Sequence, residues 1–288
     1  MPASIRLALM LLPAVVVLGG LFLGGLVLAI IRTVGIVPFA GRFDPTLEPW
    51  TRALQEPDLL LSILVTLWVA AASTLIATAL GVGAALLLHR AGGGRLVTLL
   101  VQFNLTVPHV VTAVGMAWLL GQSGVLARLA HGAGAIDRPG DFPALVNDPW
   151  FVADIVAYVA KEVPFVAVVA LAMLAAVGSA PAITARCLGA TPLQAFRHVT
   201  WPLIRPGILA AATVVFAFVL GTYEVPAVLG PSHPKALPVL AYQMFTSNDI
   251  ADRPAAIVVS LLMAAVGVVC LVAVRRLMRG ISGLEVVR

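Results

Sequence analysis

Three charged side chains, Lys161, Glu162 and Glu224, stand inside runs of apolar residues long enough to cross a bilayer. A charge at the centre of a membrane costs about 2.5–3.5 kcal/mol on insertion scales, so each must face protein or water. Lys161 and Glu162 are adjacent, and on a helix adjacent side chains point about 100° apart, so the two do not neutralise each other within one helix. Lys161 is then either a structural tie to another helix or part of a polar path. Glu224 follows Tyr223 and precedes Pro226 by two residues, and a proline frees a backbone carbonyl one turn earlier. A carboxylate beside such a break suits a solute pathway and favours a cation over an anion; the alternative is an interfacial Glu held by a neighbouring helix. Tyr223, Glu224, Pro226, Lys161 and Glu162 are the candidate path residues.

Covalent chemistry finds less support. Ser123, in Gly121-Gln-Ser123-Gly124, matches the nucleophile motif of six-span rhomboid proteases, but a serine nucleophile needs a His within reach. In those proteases it sits on the last helix, and the five His here (His89, His109, His131, His198 and His233) leave Pro254–Val274 without one. The His residues also lack metal-ligand spacing, so neither a catalytic residue nor a metal site is assigned. A nucleotide-binding phosphate loop needs Gly-Lys-Ser/Thr, and the only lysines, Lys161 and Lys235, follow Ala160 and Pro234. If ATP drives this protein, another chain must bind it. Cys187 and Cys270 are given no chemistry.

The elements that position these residues are membrane helices. A hydrophobic share of 61%, a charged share of 11% and a mean hydropathy of +1.05 lie far from soluble domains, where about a quarter of residues are charged. Apolar runs reach the roughly 20 residues of a span at Leu7–Ile31, Leu60–Leu88, Leu96–Leu120, Phe151–Val177, Pro206–Leu229 and Pro254–Val274. The first is too long for the core of a cleaved signal, about 7–15 residues, and is read as retained. Six spans place both termini on one side. With the amino terminus inside, Arg6, Arg90, Arg95, Arg186, Arg197, Arg205, Arg275, Arg276, Arg279 and Arg288 are inner, against Glu285 alone. Outside, Arg32, Arg42, Arg52, Arg128, Arg138, Lys235 and Arg253 meet ten acids, Asp154 among them. The net charge of +5 is thus an orientation signal, with both termini cytoplasmic, and nucleic acid is not an expected partner. Arg32–Leu59 and Gly121–Trp150 read as outer loops too short to be domains.

One inner segment is polar and capped. In Thr191-Pro192-Leu193-Gln194, Thr191 is a helix N-cap, Pro192 takes the first helical position and Gln194 reaches back to close a capping box. Leu193, Phe196 and Val199 share one face of the helix that begins there, and Pro202 is expected to end it. Before it, Pro181–Leu188 reads as another short helix, stopped by Gly189. Residues 179–205 thus read as helix, Gly turn, helix on the inner face.

This segment resembles the coupling loop of permease subunits of type I ABC importers. That family carries Glu-Ala-Ala, a Gly four residues after the second Ala, and Ile-x-Leu-Pro beginning ten residues after the Gly. Here the same places hold Ile183, Thr184 and Ala185, then Gly189, then Val199, Thr200, Trp201 and Pro202. The Gly, the Pro and the spacing match; the Glu is replaced by Ile183. Gly81-Val-Gly-Ala-Ala, Thr106-Val-Pro108-His109, Gly121-Gln-Ser123-Gly124 and Lys161-Glu162-Val-Pro164-Phe165 resemble core helices of the same family, and Gly221-Thr-Tyr223-Glu224-Val-Pro226-Ala-Val-Leu-Gly230 is similar to its polyamine, sulfate and iron branch. The likeness covers about 59–274.

The resemblance implies an all-α inner-membrane permease: a first helix and outer loop over 1–58, then a five-helix core over 59–288 containing the coupling loop. It implies docking of an ATPase dimer through Ala185, Arg186, Gly189, Ala190, Thr191, Phe196, Arg197 and Pro202, with ATP and Mg bound by that partner and no cofactor on this chain. A second permease subunit and an extracytoplasmic solute-binding protein complete the complex. The replaced Glu favours a heterodimer, with coupling leaning on Arg186, Arg197 or the other permease. The solute is small and polar or charged, with a polyamine-like cation favoured. The rival is a secondary carrier driven by an ion gradient, which needs ion-coordinating groups on broken helices in related halves.

Overall fold

The computed structural model describes residues 3–36, 43–90 and 103–285. Arg42, Arg95, Arg288 and residues 96–102 of the third predicted span lie outside them. Every regular element among the described residues is helical: α1 (Ala3–Thr33), α2 (Glu48–Leu54), α3 (Leu59–Arg90), α4 (His109–Leu120), α5 (Val125–Gly132), α6 (Val152–Val177), α7 (Ala180–Cys187), α8 (Pro192–Ala195), α9 (Trp201–Gly221), α10 (Glu224–Leu229), α11 (Leu237–Thr246) and α12 (Asp252–Glu285). Among the described residues, six stretches are long and apolar enough to cross a membrane, at Ile5–Thr33, Leu59–Arg90, His109–Gly132, Val152–Val177, Pro192–Gly221 and Asp252–Val274. In lipid a helix satisfies its own backbone, which is why apolar runs of this length take no other form.

Two compact units divide the chain. Met1–Leu59 with Leu240–Leu262 form the first, so the sequence division at 58 leaves out a later segment that the structure groups with it. Within this unit α1 is exposed along its length, with Phe22 and Leu21 more than 70% accessible, as a lipid-facing helix requires. Arg52 of α2 donates to Asp249 (2.8 Å), Asp252 (2.9 Å) and Glu48 (3.4 Å). The hydrogen bonds to Asp252 and Asp249 raise its guanidinium pKa above the usual arginine value.

Leu60–Val239 with Met263–Arg288 form the second unit. Its core gathers Val69, Ala70, Ala113, Phe151, Ala157, Tyr158, Val166, Val215, Val219 and Leu229, small residues alternating with large ones at close-packed helix contacts. A Cβ on Gly207 would fall 2.5 Å from the Met173 sulfur, so any larger residue there would have to displace the Met173 side chain between α9 and α6. Thr66 accepts the Leu237 N–H at 2.7 Å and donates to the Ser62 carbonyl at 2.7 Å, fixing the start of α11 to α3.

Three elements differ from the sequence reading. The expected loop Gly121–Trp150 contains helix α5 after a tight turn at Gly121–Gly124. The fifth span does not run from Pro206 to Leu229; α9 ends at Gly221, and Thr222 turns extended (φ −78°, ψ 127°) before α10 restarts at Glu224. Pro202 does not end the helix begun at Thr191. A π-turn over Phe196–Thr200 carries the chain from α8 straight into α9, and Pro202 sits in that helix's first turn, where its missing N–H costs little.

Candidate functional site

Two prolines interrupt the helix ladder in hydrogen-bonded segments of the second unit. Pro108 has no N–H to offer the carbonyl of Asn104 one turn earlier, and Pro164, inside α6, has none for the carbonyl of Ala160. Each freed carbonyl finds a side chain from the other segment. Asn104 Nδ2 donates to the Ala160 carbonyl at 2.7 Å, and Lys161 Nζ donates to the Asn104 carbonyl and, at 2.6 Å, to that of Val107. The chain is helical over 103–106, opens at Val107–Pro108 (Pro108 φ −60°, ψ 146°) and resumes as α4 at His109. Lys161 therefore sits with its positive charge on the carbonyl end of a broken helix, where the backbone dipole favours a cation.

Glu162 takes a different partner. His109 Nε2, at the start of α4, donates to Glu162 Oε1 at 3.1 Å. The same imidazole packs on the Phe218 ring of α9, with centroids 4.6 Å apart and planes tilted by 46°. Lys161 and Glu162 are both buried, at 3% and 7% exposure, so neither presents its charge to open solvent in this chain. Glu224, by contrast, is exposed at the first position of α10, just beyond the end of the membrane-length helix rather than inside it. Pro226 is buried in the first turn of α10, and the break precedes it, at Thr222. Tyr223 is 37% exposed beside it. The structure thus separates the five candidate path residues into an internal pair, Lys161 and Glu162, and an exposed group about Glu224.

Segment 179–205 has the helix, turn, helix form. The Thr191 N–H donates to Gln194 Oε1 at 2.8 Å and the Gln194 N–H to Thr191 Oγ1 at 3.3 Å, closing the capping box. Gly189 turns the chain at φ +92°, a conformation L side chains rarely adopt. Leu193 parts from Phe196 and Val199, with which it was expected to share a face: it is 74% exposed while they are half-buried, and Leu188 is 85% exposed. Phe196 and Trp201 pack instead against a cluster of Ala85, Ala170, Leu174, Ile204 and Ile208. The π-turn supplies the reason, since its extra residue rotates α8 relative to the helix that follows. Arg186 and Arg197 are exposed, Ala185 and Ala190 half-buried, and Thr191 and Pro202 exposed.

Sequence reasoning missed His109 as Glu162's partner, because 53 residues separate them and nothing local links them. Asp154, counted with the outer acids, is fully buried in the first turn of α6. The pairing of prolines with Asn104 and Lys161 was open to discovery: each proline names its orphaned carbonyl four residues back.

This arrangement of helices and the capped segment is that of an importer permease. Residues 77–283 match the family of binding-protein-dependent transport system inner membrane components, and the chain belongs to that family, as a permease of the type I ABC importers. It is 32% identical over 203 residues to a probable molybdenum ABC transporter permease protein of Haloferax volcanii, covering 69% of each chain. It is 26% identical over 215 residues to the molybdenum transport system permease protein ModB of Mycobacterium tuberculosis, covering 74% of this chain and 77% of that one. To the putrescine transport system permease protein PotI of Escherichia coli K12 it is 29% identical over 229 residues, 78% and 75% of the two chains. A chain in the crystal structure of a bacterial ABC transporter involved in the import of the acidic polysaccharide alginate superposes with a TM-score of 0.71 at 20% identity, over 94% of this chain and 99% of that one. That likeness establishes the shared fold.

Proposed function

We propose that this permease carries a small cationic solute, polyamine-like in character, inward across the membrane, and that segment 179–205 docks a separate ATPase subunit. The observation that carries the docking is mechanical. Leu188, Leu193, Arg186 and Arg197 are displayed to solvent, while Phe196 and Trp201 weld the segment to the start of α9. A partner that moves the displayed surface moves the span. In this reading Ala185, Gly189, Ala190, Thr191 and Pro202 shape the docking surface, and ATP and Mg reside on the partner.

Three features support a cation. Lys161 spends its charge on backbone carbonyls, Glu162 lies beside it, and the exposed charge of the candidate path is the carboxylate of Glu224. Tyr223 and Pro226 hold Glu224 at the mouth of the break. The relatives named for putrescine and for molybdenum bracket the possibilities, and an oxyanion would meet Glu224 with like charge. A second permease of different sequence supplies the motif Glu that Ile183 lacks, a solute-binding protein delivers the solute from outside, and both termini face the cytoplasm.

The test is uptake by vesicles carrying the assembled complex, with labelled putrescine and labelled molybdate offered separately. ATP-dependent accumulation of putrescine is expected; accumulation of molybdate alone would overturn the cation. Mild solubilisation should recover this chain with an ATPase and a second permease. Recovery alone, with transport that needs no ATP, would move the reading to a gradient-driven carrier.

A further inference from the structure

We propose that the linked breaks at Pro108 and Pro164 are one shared hinge, and that Phe218 drives it through His109, making Asn104, Lys161 and His109 positioning residues for transport. The inference rests on the reading of 179–205 as the docking segment.

The hinge follows from backbone accounting. A proline inside a span removes one rung of the helix ladder and leaves a carbonyl exposed, which in lipid must be satisfied elsewhere. Here both orphaned carbonyls lie at one level, because Asn104 reaches Ala160 and Lys161 reaches Asn104. The bonds that replace the missing rungs come from flexible side chains of the neighbouring segment rather than from the helix itself. Bending at Pro108 therefore puts at stake only the long Val107 N–H bond to the Asn104 carbonyl (3.4 Å), provided the amide and the ammonium follow their carbonyls. Sharp bends in helices occur at such places.

The drive follows from connectivity. From Pro192 to Gly221 the chain is one membrane-length helical stretch, running through the π-turn at Phe196–Thr200 and past Pro206 in the second turn of α9, and Phe218 lies near its far end, where a displacement of the docking segment would arrive. Phe218 packs on His109 at 4.6 Å, and His109 is bonded at 3.1 Å to Glu162, next in sequence to Lys161. His109 is the first residue beyond the break, at the start of α4, so a push on its ring acts on the arm of the hinge that follows the break. The adjacent pair Lys161 and Glu162 then grips both sides of the break: Lys161 holds Asn104 and Val107 before Pro108, and Glu162 holds His109 after it.

The experiment uses the complete complex in proteoliposomes and reads solute transported per ATP hydrolysed. His109→Ala and Phe218→Ala should each lower that ratio about tenfold, within the usual range of coupling energies, with hydrolysis retained. The double variant should be no worse than either single one, since both cut the same link. His109→Gln, which keeps an N–H for Glu162, should restore much of the ratio. If Phe218→Ala does not assemble, Phe218→Leu, which keeps bulk without the ring, takes its place. Additive losses in the double variant, or an unchanged ratio in the singles, would overturn the hinge drive. Gly189→Asp in the same assay separates the two readings. If it transports normally, the docking role falls and the drive with it. If it is inactive while His109→Ala keeps the normal ratio, only the hinge inference falls.

Discussion

At the scale of single residues, Lys161 shows how a charge can reside in a membrane protein without serving the solute. Its ammonium is buried, yet two carbonyls left open by the break before Pro108 receive its protons. Lys161→Met keeps the length of the chain and removes the donors. The Val107 carbonyl then loses its donor and the Asn104 carbonyl keeps only the long Val107 N–H (3.4 Å), at about 1–3 kcal/mol for an unsatisfied buried group, so the variant should unfold at lower temperature while still inserting. Thermal unfolding in detergent measures it; unchanged stability would mean that water or a backbone shift satisfies those carbonyls as well. Glu224 makes the opposite case, a carboxylate exposed at the start of a short helix. Glu224→Gln keeps the shape and removes the charge. Raised KM for a cationic solute, by about tenfold for the loss of one charged contact, is expected from initial rates of uptake. An unaltered transport profile would return Glu224 to a purely structural role.

At the scale of elements, the lever proposed for the segment 179–205 rests on a difference between its two ends. Its tip is open: a Cβ on Gly189 would meet no atom within 4 Å. Its base is packed by Phe196 and Trp201, whose rings lie 6.3 Å apart. Gly189→Asp should abolish uptake while leaving the protein inserted, since the residue strains a turn at φ +92° and places charge on the docking face. Quantitative blotting of membranes alongside uptake separates loss of function from loss of protein. The capping box, the Gly turn and the order of spans were legible in the sequence because each is a local signal, fixed by residues three or four apart. What was not legible had non-local or rotational causes. Leu193 left its expected face because a π-turn rotates α8 against α9, and no residue pattern marks a π-turn in advance. The full burial of Asp154 carries no local signal, and His109 meets Glu162 through tertiary packing alone.

At the scale of the whole molecule, orientation is the property on which every functional statement turns, and the chain carries its own reporter for it. The excess of arginine on one set of segments argues that 179–205 faces the cytoplasm. Cys187 lies on that segment and is exposed, while Cys270, the only other cysteine, is half-buried within the last apolar stretch. A membrane-impermeant maleimide should therefore label the unaltered protein in inside-out vesicles and leave it nearly unlabelled in right-side-out ones. Cys187→Ser should remove the signal from inside-out vesicles, which assigns it to the docking segment. Bound ATPase should shield the same thiol, because it lies two residues from the turn at Gly189 and next to Leu188, which is 85% exposed. Labelling from outside would invert the topology and with it the docking role. Labelling from inside that the ATPase does not diminish would keep the topology and move the partner's contact away from this edge of the segment.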